Sequence, residues 1–259
     1  MGGTAVTAKS VGILGGMGPE ATVDLMSRII KATPAKDDRD HIRMLVDNNP
    51  QVPSRIAALE KGGGASPVPC LQDMARRLAT WGVDFLAMPC NTAHYYHPQI
   101  QQAVSIPVLN MLDLSAAAIR QCCPEARTVG LLASTASVRL QLYAPALARQ
   151  DLQLLTPAPE AQEALMSSIR QIKAGVNPNG VVSTLQQTAD SLIQEGADVL
   201  LVACTELSII ADRLRVARTW LDSAQILAEA VVRHARPDGV SGHAGWPCDP
   251  NDTAAGEPS

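Results

Sequence analysis

Little in this chain marks it for a membrane, a nucleic acid or an oxidising compartment. Its apolar runs, such as Val199 to Ala203, stop far short of the roughly 20 residues that a membrane helix needs. Only seven of its 259 residues are aromatic, and 21 Lys and Arg face 25 Asp and Glu, for a net charge of -4. There is therefore no basic stripe and no stacking platform, which excludes nucleic acid as a partner. Met1 to Ser10 contains no apolar core of a secretory signal, and Val6 stands where a myristoylation site wants Ser or Thr. The six cysteines, at positions 70, 90, 122, 123, 204 and 248, show no Cys-x-x-Cys spacing. Reduced thiols and a cytoplasmic location are expected rather than a disulfide framework. No metal is expected either. His94-x-x-His97 has no second ligand pair at zinc-site spacing, and Pro98 after His97 suits a helix end or turn.

What is present is a soluble core-forming composition, 46% hydrophobic, enough for one or two domains. Short apolar runs alternate with amphipathic stretches. Val11 to Leu14 reads as a strand and Gly15-Gly16-Met17-Gly18 as a turn. Pro19 and Glu20 then suit the first turn of a helix whose apolar positions include Leu25, Met26, Ile29 and Ile30. Ile42 to Val46 reads as a strand and Cys70 to Trp81 as a helix with Leu71, Met74, Ala75 and Leu78 on one face. Gly82 sits at the helix end before the strand Asp84 to Met88. Such alternation predicts parallel sheets covered by helices.

The pattern then recurs. Thr128 to Leu132 repeats the opening strand, with Ala133-Ser134-Thr135 in place of the glycine-rich turn. Glycine, acid, strand and cysteine occur in that order in Gly82-Val83-Asp84 through Cys90-Asn91-Thr92 and again in Gly196-Ala197-Asp198 through Cys204-Thr205-Glu206. Leu112-Asp113 and Leu221-Asp222 follow the two cysteines, each opening a helix. The repeat divides the chain into an extension (1–10), a first half (11–114) joined by a returning C-terminal helix (222–235), and a second half (115–221). A disordered tail (236–259) follows.

Both cysteines stand at the carboxyl ends of predicted strands, where open parallel sheets bind ligands. A thiol titrates near 8.5 and a helix N-terminus lowers that value, so a thiolate and a thiol can coexist at neutral pH. Two halves facing one another would present the sulfurs to opposite sides of one ligand. One sulfur could then remove a proton from a carbon while the other supplies one to its opposite face, inverting a stereocentre without a cofactor. Buried cysteines commonly act only as small hydrophobes, which is the reading for Cys70, Cys122, Cys123 and Cys248. Cys90 and Cys204 differ because Asn91-Thr92 and Thr205-Glu206, which follow them, can bind a carboxylate or orient a thiol.

Gly15-Gly16-Met17-Gly18-Pro19 with Ala21-Thr22, Asn48-Asn49-Pro50, Met88-Pro89-Cys90-Asn91-Thr92-Ala93-His94 and Cys204-Thr205-Glu206 together resemble the pyridoxal-phosphate-independent aspartate/glutamate racemase family, closest to its aspartate racemase branch. The resemblance runs in order from about Val11 to Ala230. It implies two pseudo-symmetric α/β domains, each a mainly parallel sheet flanked by helices, with the active site in the cleft between them. It also implies no cofactor and a two-base racemisation with Cys90 and Cys204 as the acid/base pair. Asn91, Thr92 and Thr205 are implied to hold the α-carboxylate and amino ends of the substrate, and Arg55 and Lys173 its side-chain carboxylate. Met17, Asn49, Ala93, Thr135 and Glu206 complete the implied binding set. Ser54 stands where that branch has Asp, and Ile169 where it has Tyr, which loosens strict aspartate specificity. A small amino acid is the expected partner, and a homodimer is compatible with the reading.

Rival readings are weaker. Gly16-x-Gly18-x-x-Ala21 has the form of a dinucleotide fingerprint, but Asp37, Asp38 and Asp40 precede the next strand instead of ending it. Cys70 and Arg76 have phosphatase-loop spacing without a glycine between them. None of the five lysines accompanies a phosphate-binding signature of a pyridoxal enzyme. Hydantoin racemisation, maleate isomerisation or malonate decarboxylation on the same scaffold, or a non-enzymatic ligand-binding module, are the alternatives. A binder has no need of a thiol at both strand ends.

Overall fold

In the computed structural model, which describes residues 9–59, 63–175 and 179–237, the short apolar runs become seven parallel strands among the described residues. Residues 1–8 of the expected extension, 238–259 of the expected tail, Gly62 of the run Gly62-Gly63-Gly64, whose letters read as a loop, and Cys248 lie outside the described residues. The described chain forms two units. One runs up to Pro89 and includes Tyr96–Leu109 and the chain from Ala228 on; the other comprises Cys90–Tyr95 and Asn110–Leu227. Relative to the halves read from the repeat, the segment Cys90–Tyr95 groups with the second unit.

The first unit holds β1 (Val11–Gly15), β2 (Met44–Asn48) and β3 (Phe85–Ala87), in the parallel order β2-β1-β3, with Leu86 bridging to Val108. β1 is central and wholly buried, which is why it reads as a continuous apolar run. β2 begins two residues later than the hydropathy suggests. It is an edge strand, so its end tolerates Asp47 and Asn48, and Asp47 meets Arg77 at 3.3 Å. Beside the sheet lie the helices Pro19–Ala32 and Val68–Thr80, the latter burying Leu71, Met74, Ala75 and Leu78 as expected. Cys70 and Arg76 are thus helical and form no phosphate loop. Pro98 opens the helix His97–Gln101 rather than ending one, because a residue without an N–H fits a first turn. The C-terminal helix Ser223–Ala235 ends in this unit. Lys9 N donates to Ala235 O at 3.0 Å, and the His234 ring meets Phe85 edge-on at 4.4 Å.

The second unit holds β4 (Thr128–Ala133), β5 (Gln153–Leu155), β6 (Val199–Ala203) and β7 (Trp220–Asp222), all parallel in the order β5-β4-β6-β7. Its strand order matches that of the first unit, with Val108 in the place of β7. The repeated Gly82 and Gly196 hold φ of 83° and 103°, a conformation that favours glycine, while a glycine in each central strand and the repeated acid have the same local task in both units. A Cβ on Gly12 would lie 2.6 Å from Leu86 Cδ2, and one on Gly130 2.7 Å from Leu200 Cδ2, so only glycine lets the neighbouring strand side chain seat there. Asp84 accepts from Ser10 N at 2.7 Å, and Asp198 accepts from Arg127 N and Thr128 N at 2.9 Å each. Each acid therefore fixes the start of its unit's central strand. A core of Leu165, Ile169, Ile172, Leu185, Leu200 and Leu207 packs beside β6 and reaches Cys204.

Candidate active site

Cys204 follows β6 directly. Its extended backbone leads into the short helix Thr205–Ser208, whose four residues are all buried. Cys204 is itself buried and borders the apolar core, yet its Sγ donates to Glu206 Oε2 at 3.1 Å. The other carboxylate oxygen, Oε1, lies 3.2 Å from Lys173 Nζ at the end of the helix Pro159–Lys173. Burial pushes the Cys204 thiol well above its ordinary value, the Glu206 charge and hydrogen bond push the same way, and Lys173 offsets part of it. At neutral pH the sulfur is therefore a thiol. Desolvation lowers the Lys173 ammonium, but the Glu206 charge and hydrogen bond oppose it, and the ammonium stands above its ordinary value.

Cys90 follows β3 and Pro89, and the backbone then enters a 3-10 turn, Thr92–Tyr96. His94 Nδ1 lies 2.8 Å from Cys90 O; since a carbonyl only accepts, this nitrogen carries the proton. Asn91 is buried, and both ends of its amide are engaged. Tyr143 donates to Oδ1, and Nδ2 donates to Ser223 Oγ at 3.2 Å. This contact fixes the orientation of the amide. Tyr143 is fully buried, and burial, with the charge of Asp222, holds its hydroxyl far above the ordinary phenol range. Thr92 Oγ1 lies 3.3 Å from Ser134 Oγ and 3.4 Å from Ser137 Oγ, which are 3.1 Å apart, a cluster of three hydroxyls. Thr135 accepts from Gln162 Nε2 at 3.4 Å, and Ala93 and Thr205 are buried.

Of the residues singled out in the sequence, Cys90, Asn91, Thr92, Ala93, Thr135, Lys173, Cys204, Thr205 and Glu206 belong to the second unit. Met17, Asn49 and Arg55 belong to the first. There Met17 is buried, and Gly16, at φ 92°, passes so close to Asn49 that a Cβ would meet its carbonyl at 2.2 Å. Asn49 Oδ1 accepts from Gln51 N at 3.0 Å, and its Nδ2 lies 3.4 Å from Cys70 Sγ. The Arg55 guanidinium donates to Val52 O and Pro53 O, both at 3.3 Å, and Tyr96 donates to Arg55 O. Ser54 caps the turn Ala57–Leu59 by accepting from Ala57 N at 3.2 Å. Ile169 is part of the apolar core.

Sequence reasoning missed Tyr143, Ser134, Ser137, Ser223 and Gln162. Ser134 could have been found, since it takes the place of the glycine turn in the repeat and caps the helix Thr135–Arg139. Tyr143 carries no motif. Among the described residues no three His, Cys, Asp or Glu side chains cluster as a metal site, and no helix is long and apolar enough to cross a membrane.

Parallel sheets flanked by helices, with thiols at the carboxyl ends of two strands, are the frame of an α/β racemase. The chain belongs to the Asp/Glu/hydantoin racemase family, which matches residues 14–231, and it is an isomerase, an amino-acid racemase. It is 30% identical over 228 residues to the broad specificity amino-acid racemase RacX of Bacillus subtilis, covering 86% of this chain and 96% of that protein. An aspartate racemase structure from Picrophilus torridus shares 31% identity at a TM-score of 0.72, covering 88% of this chain and 94% of the other. A glutamate racemase from Bacillus anthracis, 20% identical at a TM-score of 0.59 over 90% and 84% of the two chains, shares the fold.

Proposed function

We propose that the protein racemises an acidic amino acid, with aspartate preferred and glutamate next, without a cofactor and by two-base proton transfer between Cys90 and Cys204. The observation that supports this reading is the buried Cys204 thiol at the end of a strand, held on Glu206 at 3.1 Å with Lys173 on the other carboxylate oxygen at 3.2 Å, together with a second buried cysteine, Cys90, that follows another strand. One thiolate takes the α-proton while the substrate α-carboxylate delocalises the charge left behind. The other sulfur, as a thiol, returns a proton to the opposite face. The raised position of the Cys204 thiol suits it to the donor role for one enantiomer. Thr92, Thr135 and Thr205 hold the polar ends of the substrate, and Arg55 grips the side-chain carboxylate with parallel hydrogen bonds.

A second reading, a wider range that includes neutral amino acids, is favoured by the ion pair of Lys173 with Glu206, which leaves the lysine less charge to offer a side-chain carboxylate. It agrees with the breadth named for the Bacillus subtilis relative. Incubation of each L-amino acid in deuterium oxide separates the two. Aspartate, and glutamate more slowly, should gain deuterium at the α-carbon and lose optical rotation under the first reading, and several neutral amino acids should do so under the second. Cys90→Ala and Cys204→Ala should each abolish racemisation, and each can still exchange the α-hydrogen of one enantiomer. Near-normal racemisation in either variant rules out the two-base scheme. Arg55→Ala should lower kcat/KM on aspartate by the roughly 2 to 5 kcal/mol that an unpaired charge costs, and much less on alanine.

A further inference from the structure

Cys204, Glu206 and Lys173 form a line from a buried sulfur toward solvent. Cys204 is 6% exposed and donates to Glu206 Oε2 at 3.1 Å. Lys173 Nζ holds the other oxygen at 3.2 Å, and the Glu206 and Lys173 side chains are 11% and 46% exposed. A two-base racemase ends each conversion with its proton on the wrong sulfur. When Cys204 has delivered its proton, it remains as a buried thiolate and has to be refilled before the same enantiomer can react again.

We propose that Glu206 carries this returning proton from solvent to the Cys204 sulfur between turnovers, with Lys173 fixing the carboxylate against the sulfur. The proposal rests on the two-cysteine reading above. A solvent proton adds to the Glu206 carboxylate; its O–H bond then breaks as the Cys204 S–H bond forms, and the carboxylate is restored. Cys90 releases to solvent the proton it took from the substrate, so one proton enters, one leaves, and nothing is oxidised or reduced. Burial makes the Cys204 thiolate a strong proton acceptor, so the transfer runs toward sulfur. Glu206 acts here through the thiol, on the free enzyme, after product has left.

That timing gives the step its own kinetic mark. A step of the free enzyme limits kcat but does not enter kcat/KM. In Glu206→Gln, measured as initial rates from a single aspartate enantiomer, kcat should fall by on the order of tenfold or more and by more than kcat/KM, whose own change reports the Lys173 charge that the lost carboxylate frees. Small buffer acids such as formic acid or imidazolium should restore kcat in proportion to their concentration. Glu206→Asp, which keeps an ionisable carboxylate, should recover part of kcat without added buffer. The proposal is overturned if Glu206→Gln leaves kcat unchanged, or if kcat/KM falls as far as kcat and buffer acids do nothing. Cys204→Ser run alongside separates the two readings: racemisation by that variant defeats the two-cysteine scheme itself, whereas its loss beside an unaffected Glu206→Gln defeats only the relay.

Discussion

Removing the Tyr143 hydroxyl tests how the segment after Cys90 is held. Tyr143→Phe keeps the ring, which is fully buried, and deletes the one donor that reaches Asn91 Oδ1. Asn91 is itself 4% exposed, so water cannot replace that donor cheaply. Its Nδ2 end stays on Ser223, and the Ser115 hydroxyl retains Met111 O at 2.7 Å, so the loss falls mainly on one orphaned oxygen. Leaving a buried acceptor unsatisfied costs about 1 to 3 kcal/mol. Urea unfolding should show a lower midpoint at an unchanged slope, the sign of lost stability rather than a changed unfolded state. The same change in an Asn91→Leu background should cost much less, because no amide oxygen remains to be orphaned, and the coupling between the two sites should reach about 1 kcal/mol. Activity should fall as well, since the amide is then free to turn beside Cys90. A loss under about 0.5 kcal/mol, or equal losses in both backgrounds, would refute the reasoning.

Glycine substitutions should rank by what a methyl group meets. Gly16→Ala, with φ at 92° and backbone atoms of Asn49 2.2 Å from the new Cβ, should be the most damaging, at about 3 kcal/mol or more by thermal unfolding. Gly130→Ala meets the flexible end of Leu200 first and should cost about 1 to 3 kcal/mol. Acid should weaken both units through the repeated aspartates. The Ser10 amide and hydroxyl hold Asp84 below the ordinary carboxylate range, and the Arg127 and Thr128 amides do the same for Asp198. Their stabilisation is complete above the unfolded value near 3.9 and is lost as pH falls through the lower folded value. Asp84→Asn with Asp198→Asn should flatten the pH dependence of the unfolding midpoint below about pH 4. Alkali acts in the opposite sense at Cys204. Its raised folded value means that the unfolded thiol ionises first, so stability should decline above about pH 8.5, and less so in Cys204→Ala.

The sequence by itself determined the elements and their repetition. A central strand buried on both faces has to be continuously apolar, so β1, β4 and β6 stand out as Val11–Gly15, Thr128–Ala133 and Val199–Ala203. Glycine recurs in the central strands where a leucine side chain of the neighbouring strand seats against them, and aspartate where strand amides need an acceptor, so the repeat carries a physical cause in its letters. The cysteines were legible for the same reason, as polar-flanked thiols after apolar runs. Tertiary structure alone decided what surrounds them. Tyr143 meets Asn91 across 52 positions, and Ser223 meets it across 132, distances over which no local periodicity reports contact. The partner of Lys173 could not be read from spacing either. A lysine and a glutamate 33 positions apart look like two surface charges until the helix Pro159–Lys173 ends against the short helix Thr205–Ser208 and brings ammonium, carboxylate and sulfur into one line.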